Sequence, residues 1–269
     1  MEDWLILLIL AVVQGIAEFL PISSSGHLVI LADLLGDAGN VDVNDLNIVL
    51  HVGTLLSIIV FYWQRILKLL GEDRRIVPLL IFGTLPVVVI GLPLKMFAEH
   101  WLENPFLAGC LLPITGLILI WASRRKPGEQ LYQDLTWGKT LLIGTSEAIA
   151  VLPGLSRSGT TISAGLRLGL TAQSAATFSF LLAIPAIGGA GTLEVIKTLK
   201  GAPMSTPWHL LLMGMAVSFI VGLGSLWWLI RWLERGKLQY FAYWCIPVGI
   251  AVAIYNLDHL PELFSAPSK

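Results

Sequence analysis

Apolar residues run along this chain in long stretches rather than in the short amphipathic pattern of a soluble core. Six stretches are long enough to span a bilayer, at about 46–62, 76–96, 106–122, 173–193, 207–230 and 239–257. Two more, about 4–35 and 137–170, are apolar but broken by Pro and by Ser-Gly turns. In the first of these, Gln14 and Glu18 stand four apart, so a helix carries both on one face. Pro21 ends or kinks that helix, and Ser23, Ser24, Ser25 and Gly26 form a turn. A new apolar helix is expected to begin near His27. Such a polar break is tolerated at membrane depth only where it is buried in protein or lines a cavity.

Composition supports the same class. Of the 269 residues, 55% are hydrophobic and 13% charged, with a mean hydropathy of +0.78. A soluble domain carries about 25% charged residues. A net charge of −1 with no basic patch excludes a nucleic-acid partner. Cys110 and Cys245 lie in apolar stretches with no second thiol nearby and read as packing residues. No Lys or Arg precedes the first apolar run, which therefore does not read as a cleavable signal peptide. The ten tryptophans mostly flank apolar runs, the position of an interfacial belt.

The connecting segments sort by charge. Residues 63–76, 122–139 and 231–238 together hold Arg65, Lys68, Arg74, Arg75, Arg124, Arg125, Lys126, Lys139, Arg231, Arg235 and Lys237, which mark a cytoplasmic side. Residues 36–45 hold Asp37, Asp42 and Asp45 without a cation and belong outside, as do 97–105 and 194–206. Tracing the path, the stretch 137–170 must begin and end inside, which makes it re-entrant. The stretch 4–35 is built alike and is read as re-entrant from the opposite face.

The two broken stretches also match in residues. Gln14, Ser23, Ser25 and Gly26 fall 133 positions before Glu147, Ser156, Ser158 and Gly159, and Leu20-Pro21 falls 132 before Leu152-Pro153. The expected fold is an all-α integral membrane protein in a single domain over 1–269. It has six transmembrane helices plus two re-entrant helical hairpins, as an inverted-topology internal repeat of about 1–122 and 137–257. In such folds the site lies at the midplane between broken helices. The Gly-rich segment 183–191 reads as close helix packing.

The second turn is Pro153-Gly154-Leu155-Ser156-Arg157-Ser158-Gly159-Thr160-Thr161. An unpaired charge at the bilayer centre costs about 2.5–3.5 kcal/mol, so Glu18 and Arg157 need a reason to be there. A mutual salt bridge would account for the charges and leave the surrounding hydroxyls unexplained. An anion site accounts for both. Each turn precedes a short helix, near 27–35 and 160–169, whose N-terminal N–H groups favour phosphate. Arg157 adds a planar fork suited to phosphate oxygens. Glu18 can hold a metal ion or act as a base, and His27 can carry a proton.

The segments 14–27 and 153–161 resemble the two signature motifs of the bacterial undecaprenyl-diphosphate phosphatase family, once called bacitracin-resistance proteins. The resemblance covers essentially the whole chain. It implies a multi-pass enzyme of the bacterial cytoplasmic (inner) membrane, with its site open to the outer face. That enzyme hydrolyses undecaprenyl diphosphate to undecaprenyl phosphate, the carrier of cell-wall precursors. It also implies a divalent cation, Mg or Ca, and leaves a homodimer open. Position by position, Glu18, Ser24, His27 and Arg157 match the catalytic glutamate, the proposed nucleophile, the histidine and the phosphate-binding arginine. Ser23, Ser25, Gly26, Ser156, Ser158, Gly159 and Thr161 match the substrate-binding turns, and Gln14 with Glu18 the metal position. Many members have glutamate where this chain has Gln14, which keeps an oxygen ligand but loses a charge and cannot be a base.

Other polar residues rank lower. His51 can line the site or be a satisfied buried histidine. Glu147 mirrors Gln14 and is a secondary site candidate. Arg167 can snorkel to the interface. His100, His209 and His259 show no metal spacing. The rival function is a transporter or flippase of a polyprenyl phosphate lipid, which an inverted repeat also suits. The hydroxyl, Arg, His and Glu set is richer in proton-transfer groups than headgroup binding alone requires. The enzyme expectation stands only if Ser24 and Arg157 meet in one pocket removed from bulk solvent.

Overall fold

A computed structural model describes residues 3–35, 43–124, 126–199 and 206–264. The acidic segment around Asp37 and Asp42, and residues 200–205, lie outside the described residues. Twelve α-helices are described: α1 Asp3–Ala17, α2 Ser24–Leu35, α3 Val43–Phe61, α4 Trp63–Leu69, α5 Ile76–Phe97, α6 Glu99–Leu102, α7 Pro105–Ser123, α8 Trp137–Ile149, α9 Arg157–Arg167, α10 Ala172–Leu199, α11 Trp208–Glu234 and α12 Ala242–Tyr255. Among the described residues the β-type pairing is a single bridge, Gln130 to Leu170.

Five segments are long and apolar enough to cross a membrane: Ile76–Leu94, Pro105–Ser123, Ala172–Thr192, Trp208–Glu234 and Leu238–Tyr255. A sixth is counted if Ile48–Phe61 and Trp63–Leu69, bent by 75° at Tyr62, form one span. The five fall on five of the six expected stretches, and the bent pair falls on the stretch expected at about 46–62. Their outward faces carry large apolar side chains such as Val89, Leu117, Ile220 and Ile254, as lipid-facing helices must. Pro86, Pro113, Pro185 and Pro247 sit inside helices, which packed neighbours in a membrane accommodate.

Two of the cationic links, 63–76 and 122–139, meet each other. Tyr132 donates to Asp73 at 2.7 Å, and Arg75 donates to the Leu135 carbonyl. Gln130 N–H bonds the Gly169 carbonyl, and Lys139 Nζ donates to the Leu168 carbonyl at 2.9 Å. Helix α8 therefore starts, and α9 ends, beside the same link: the chain runs in along α8, turns at 150–156 and returns along α9. Arg167, at that end, lies 4.2 Å over the Trp121 ring. At the opposite end, Asn104 donates to the His259 carbonyl, and His259 lies 3.7 Å from Asp33 near the end of α2.

Two expectations are corrected. Helices α2 and α9 each begin three residues earlier than expected, because Ser23 and Ser156 act as N-caps: the Ser23 hydroxyl accepts from Gly26 N–H and the Ser156 hydroxyl from Gly159 N–H. The two caps stand 133 residues apart, at the shift of the residue match. Among the described residues, nothing packs within 4 Å of a Cβ built on the glycines at 188, 189 and 191. Close packing occurs instead where α7 meets α12: a Cβ on Gly109 would lie 2.5 Å from the Ala253 nitrogen.

Candidate active site

The site forms where the two polar turns touch. Ser23 is the joint. Its hydroxyl donates to the Leu155 carbonyl at 3.3 Å and accepts from Gly154 N–H at 3.1 Å, while capping its own helix. Ser23 adopts a left-handed backbone with φ 71°, an uncommon conformation for a residue other than glycine. The turns approach so closely that a Cβ on Gly26 would lie 2.7 Å from the Gly154 nitrogen. Gly154 has φ +92°, and there a Cβ would lie 2.4 Å from the Ala108 carbonyl oxygen. Thr115 on α7 pins the second turn, donating to the Gly154 carbonyl at 2.7 Å and accepting from Ser156 N–H at 3.0 Å.

Glu18, one residue past the end of α1, is the centre of this joint and is 5% exposed. Its Oε1 pairs with Arg157 at the first position of α9. Its Oε2 accepts from the Ser24 hydroxyl at 2.6 Å and from the Gln14 amide at 3.1 Å, with His51 Nε2 at 3.6 Å. The salt bridge weighed against an anion site is therefore present, and it is only part of the network. Ser24 and Arg157, 133 positions apart, meet on the two oxygens of one carboxylate, and the Arg157 side chain is 19% exposed.

The remaining expected residues divide. Ser25 reaches the Ser23 hydroxyl at 3.4 Å, and Ser156 reaches Ser158 at 3.2 Å. Thr161 bonds Ser179 on α10 at 2.6 Å and donates to the Arg157 carbonyl, which ties the start of α9 to a long helix. Gly159 approaches Pro21 of the first turn. His27 turns away from Glu18: its Nδ1–H donates to the Ser23 carbonyl at 2.8 Å, and its Nε2 accepts from the Trp244 indole at 2.9 Å. Both ring nitrogens are thus engaged. Thr115, Ser179 and Trp244 escaped the sequence analysis. Thr115 and Ser179 are single hydroxyls in apolar stretches, and Trp244 reads there as one more belt residue.

Among the described residues no cluster of three or more His, Cys, Asp or Glu is placed to hold a metal ion. Gln14 and Glu18 bring oxygen donors together, and the buried Gln14 Oε1 has no hydrogen-bond partner. Two such donors fit a magnesium-like ion, which binds through one or two protein oxygens and completes its shell with water and substrate phosphate.

The chain matches known proteins over nearly its whole length. The chain is 50% identical to the undecaprenyl-diphosphatase of Rhodopirellula baltica over 96% of its length and all of that protein's. It is 39% identical to the undecaprenyl-diphosphatase of Desulfatibacillum aliphaticivorans, covering 94% of this chain and 99% of the relative. It is 36% identical to that of Methanosphaera stadtmanae, at 96% and 99%. The family model for the bacitracin resistance protein BacA matches residues 7–251, a span that takes in both turns and at least part of every one of the twelve α-helices. With both turns, the helices that carry them and nearly the full length accounted for, the chain belongs to the BacA family.

Proposed function

We infer that this protein hydrolyses undecaprenyl diphosphate to undecaprenyl phosphate and inorganic phosphate, recycling a lipid carrier for cell-wall synthesis. Full-length identity to curated undecaprenyl-diphosphatases supports the activity. The observation that carries the site is Ser24 and Arg157 converging on Glu18 from two separate turns. A flippase would need an anion cradle. It would not need a hydroxyl already hydrogen-bonded to a buried carboxylate.

The residues assign the work as follows. Arg157, leaving Glu18, binds the diphosphate and offsets charge on the phosphoryl group in flight, where most of the catalysis of such transfers lies. The Ser24 oxygen attacks the terminal phosphorus while its proton passes to Glu18 Oε2. The bond from phosphorus to the bridging oxygen breaks, undecaprenyl phosphate departs, and water then cleaves the phosphoserine to release phosphate. Of the two candidate bases, Glu18 has the geometry, since both His27 nitrogens are already bonded. His27 orients Ser23 and the start of α2. A divalent cation, held by Gln14 and Glu18, would supply further positive charge to the diphosphate.

In the membrane, α1–α2 and α8–α9 act as re-entrant hairpins entering from opposite faces of the bacterial cytoplasmic membrane. Six spans surround them, as inverted repeats of about 1–122 and 137–257. The matching Ser23 and Ser156 caps support this arrangement. The pocket opens to the outer face, and the polyprenyl tail lies in lipid between spans. The test is phosphate release from undecaprenyl diphosphate by the purified protein in detergent, with and without chelator. Release that stops with chelator and returns with magnesium or calcium is expected. No release under any condition would overturn the enzyme reading.

A further inference from the structure

Besides Gln14 Oε1, three buried polar atoms lie beside the site without hydrogen bonds: Arg157 Nη1 and both carboxylate oxygens of Glu147. Glu147, 2% exposed, sits near the end of α8, the counterpart of Gln14 near the end of α1. Its Oε1 is 4.0 Å from Arg157 Nη1, beyond hydrogen-bond reach yet close enough to close by a small rotation. The other arm of the guanidinium, Nη2, is held by Glu18. Arg157 thus stands between two carboxylates, one engaged and one waiting. A guanidinium has five N–H donors and can serve a carboxylate and a phosphate together.

We propose that Glu147 is a positioning residue for Arg157 during turnover, gripping Nη1 when Nη2 passes from Glu18 to a substrate phosphate. This rests on the hydrolase reading above. When substrate takes Nη2 from Glu18, a second carboxylate on the far side of the guanidinium keeps the arginine in the pocket while Glu18 is freed to take the Ser24 proton. In the resting protein the Glu147 oxygens accept no hydrogen bond and pair with Arg157 only at 4.0 Å, so the closer contact is left to be made when substrate binds.

Phosphate release from undecaprenyl diphosphate, with melting temperature, separates the possibilities. Glu147→Met, which removes the acceptor oxygens at similar length, is expected to raise KM about tenfold with kcat within about threefold, and to melt no lower than the wild type. Glu147→Gln, which keeps one acceptor oxygen, falls between them. An unchanged KM in both variants overturns the proposal, as does a loss of kcat that tracks a lower melting temperature. If Glu147→Met fails to fold, the KM of Glu147→Gln decides. A wild type that releases no phosphate overturns the hydrolase reading, and the proposal with it.

Discussion

Replacing Arg157 by Met tests the central pair. Glu18 is almost fully buried and has Arg157 on one oxygen and Ser24, Gln14 and His51 around the other. Removing one partner of a buried ion pair costs about 3–5 kcal/mol, because the other charge is left uncompensated. Here two hydrogen-bond donors remain on Glu18, which places the expected loss near the lower limit, about 3 kcal/mol. For a chain of this size that is a drop of roughly 6–12 °C in melting temperature. The double variant Glu18→Gln/Arg157→Met leaves no charge behind and should recover to within about 1 kcal/mol of wild type. Phosphate release should be abolished in both. The assay is tryptophan-fluorescence melting in detergent beside phosphate release on the same samples. Arg157→Met as stable as wild type, with no recovery to be had in the double variant, would refute the buried-pair reasoning. Retained phosphate release would refute the role of Arg157 in catalysis.

Ser24→Ala should lower kcat at least about a hundredfold if its oxygen is the nucleophile; a loss under tenfold would point to attack by water. Gly26→Ala forces a Cβ against the Gly154 nitrogen and should destabilise the protein by about 1–3 kcal/mol while cutting activity by splaying the turns; normal melting and turnover would contradict the contact. Burial, with the Asp73 carboxylate beside it, pushes the Tyr132 phenol up to about 12. The folded chain therefore holds this proton more tightly than the unfolded one, whose phenol titrates near about 10. The stability it contributes is intact below about pH 10 and is lost as the pH rises toward about 12. Tyr132→Phe should flatten the melting profile between those values, and an unchanged slope would argue against it.

Polar residues in an apolar chain were the most informative part of the sequence. Glu18, Arg157 and the serines stand out because a bilayer penalises each of them, so their mere presence marks the two turns. The spans were equally legible, since bilayer thickness sets their length. Helix starts were read three residues late because capping by Ser23 and Ser156 depends on backbone geometry that hydropathy does not carry. The glycines of 183–191 read as packing residues, yet whether a glycine meets a neighbour depends on which helix lies opposite, and among the described residues nothing lies within 4 Å of a Cβ built at 188, 189 or 191.

Sequence alone therefore determined the class, the spans and the residue types of the site, because those follow from the cost of placing polar groups in hydrocarbon. Only the tertiary structure decided who touches whom. It put Ser24 rather than His27 on Glu18, bound His27 to Trp244, and left Glu147 facing Arg157 without a bond. Of these contacts, His27 to Trp244 spans 217 positions, while Ser24 to Glu18 spans 6 and Glu147 to Arg157 spans 10. They depend on side-chain directions at the junction of two turns, which no local pattern along the chain encodes.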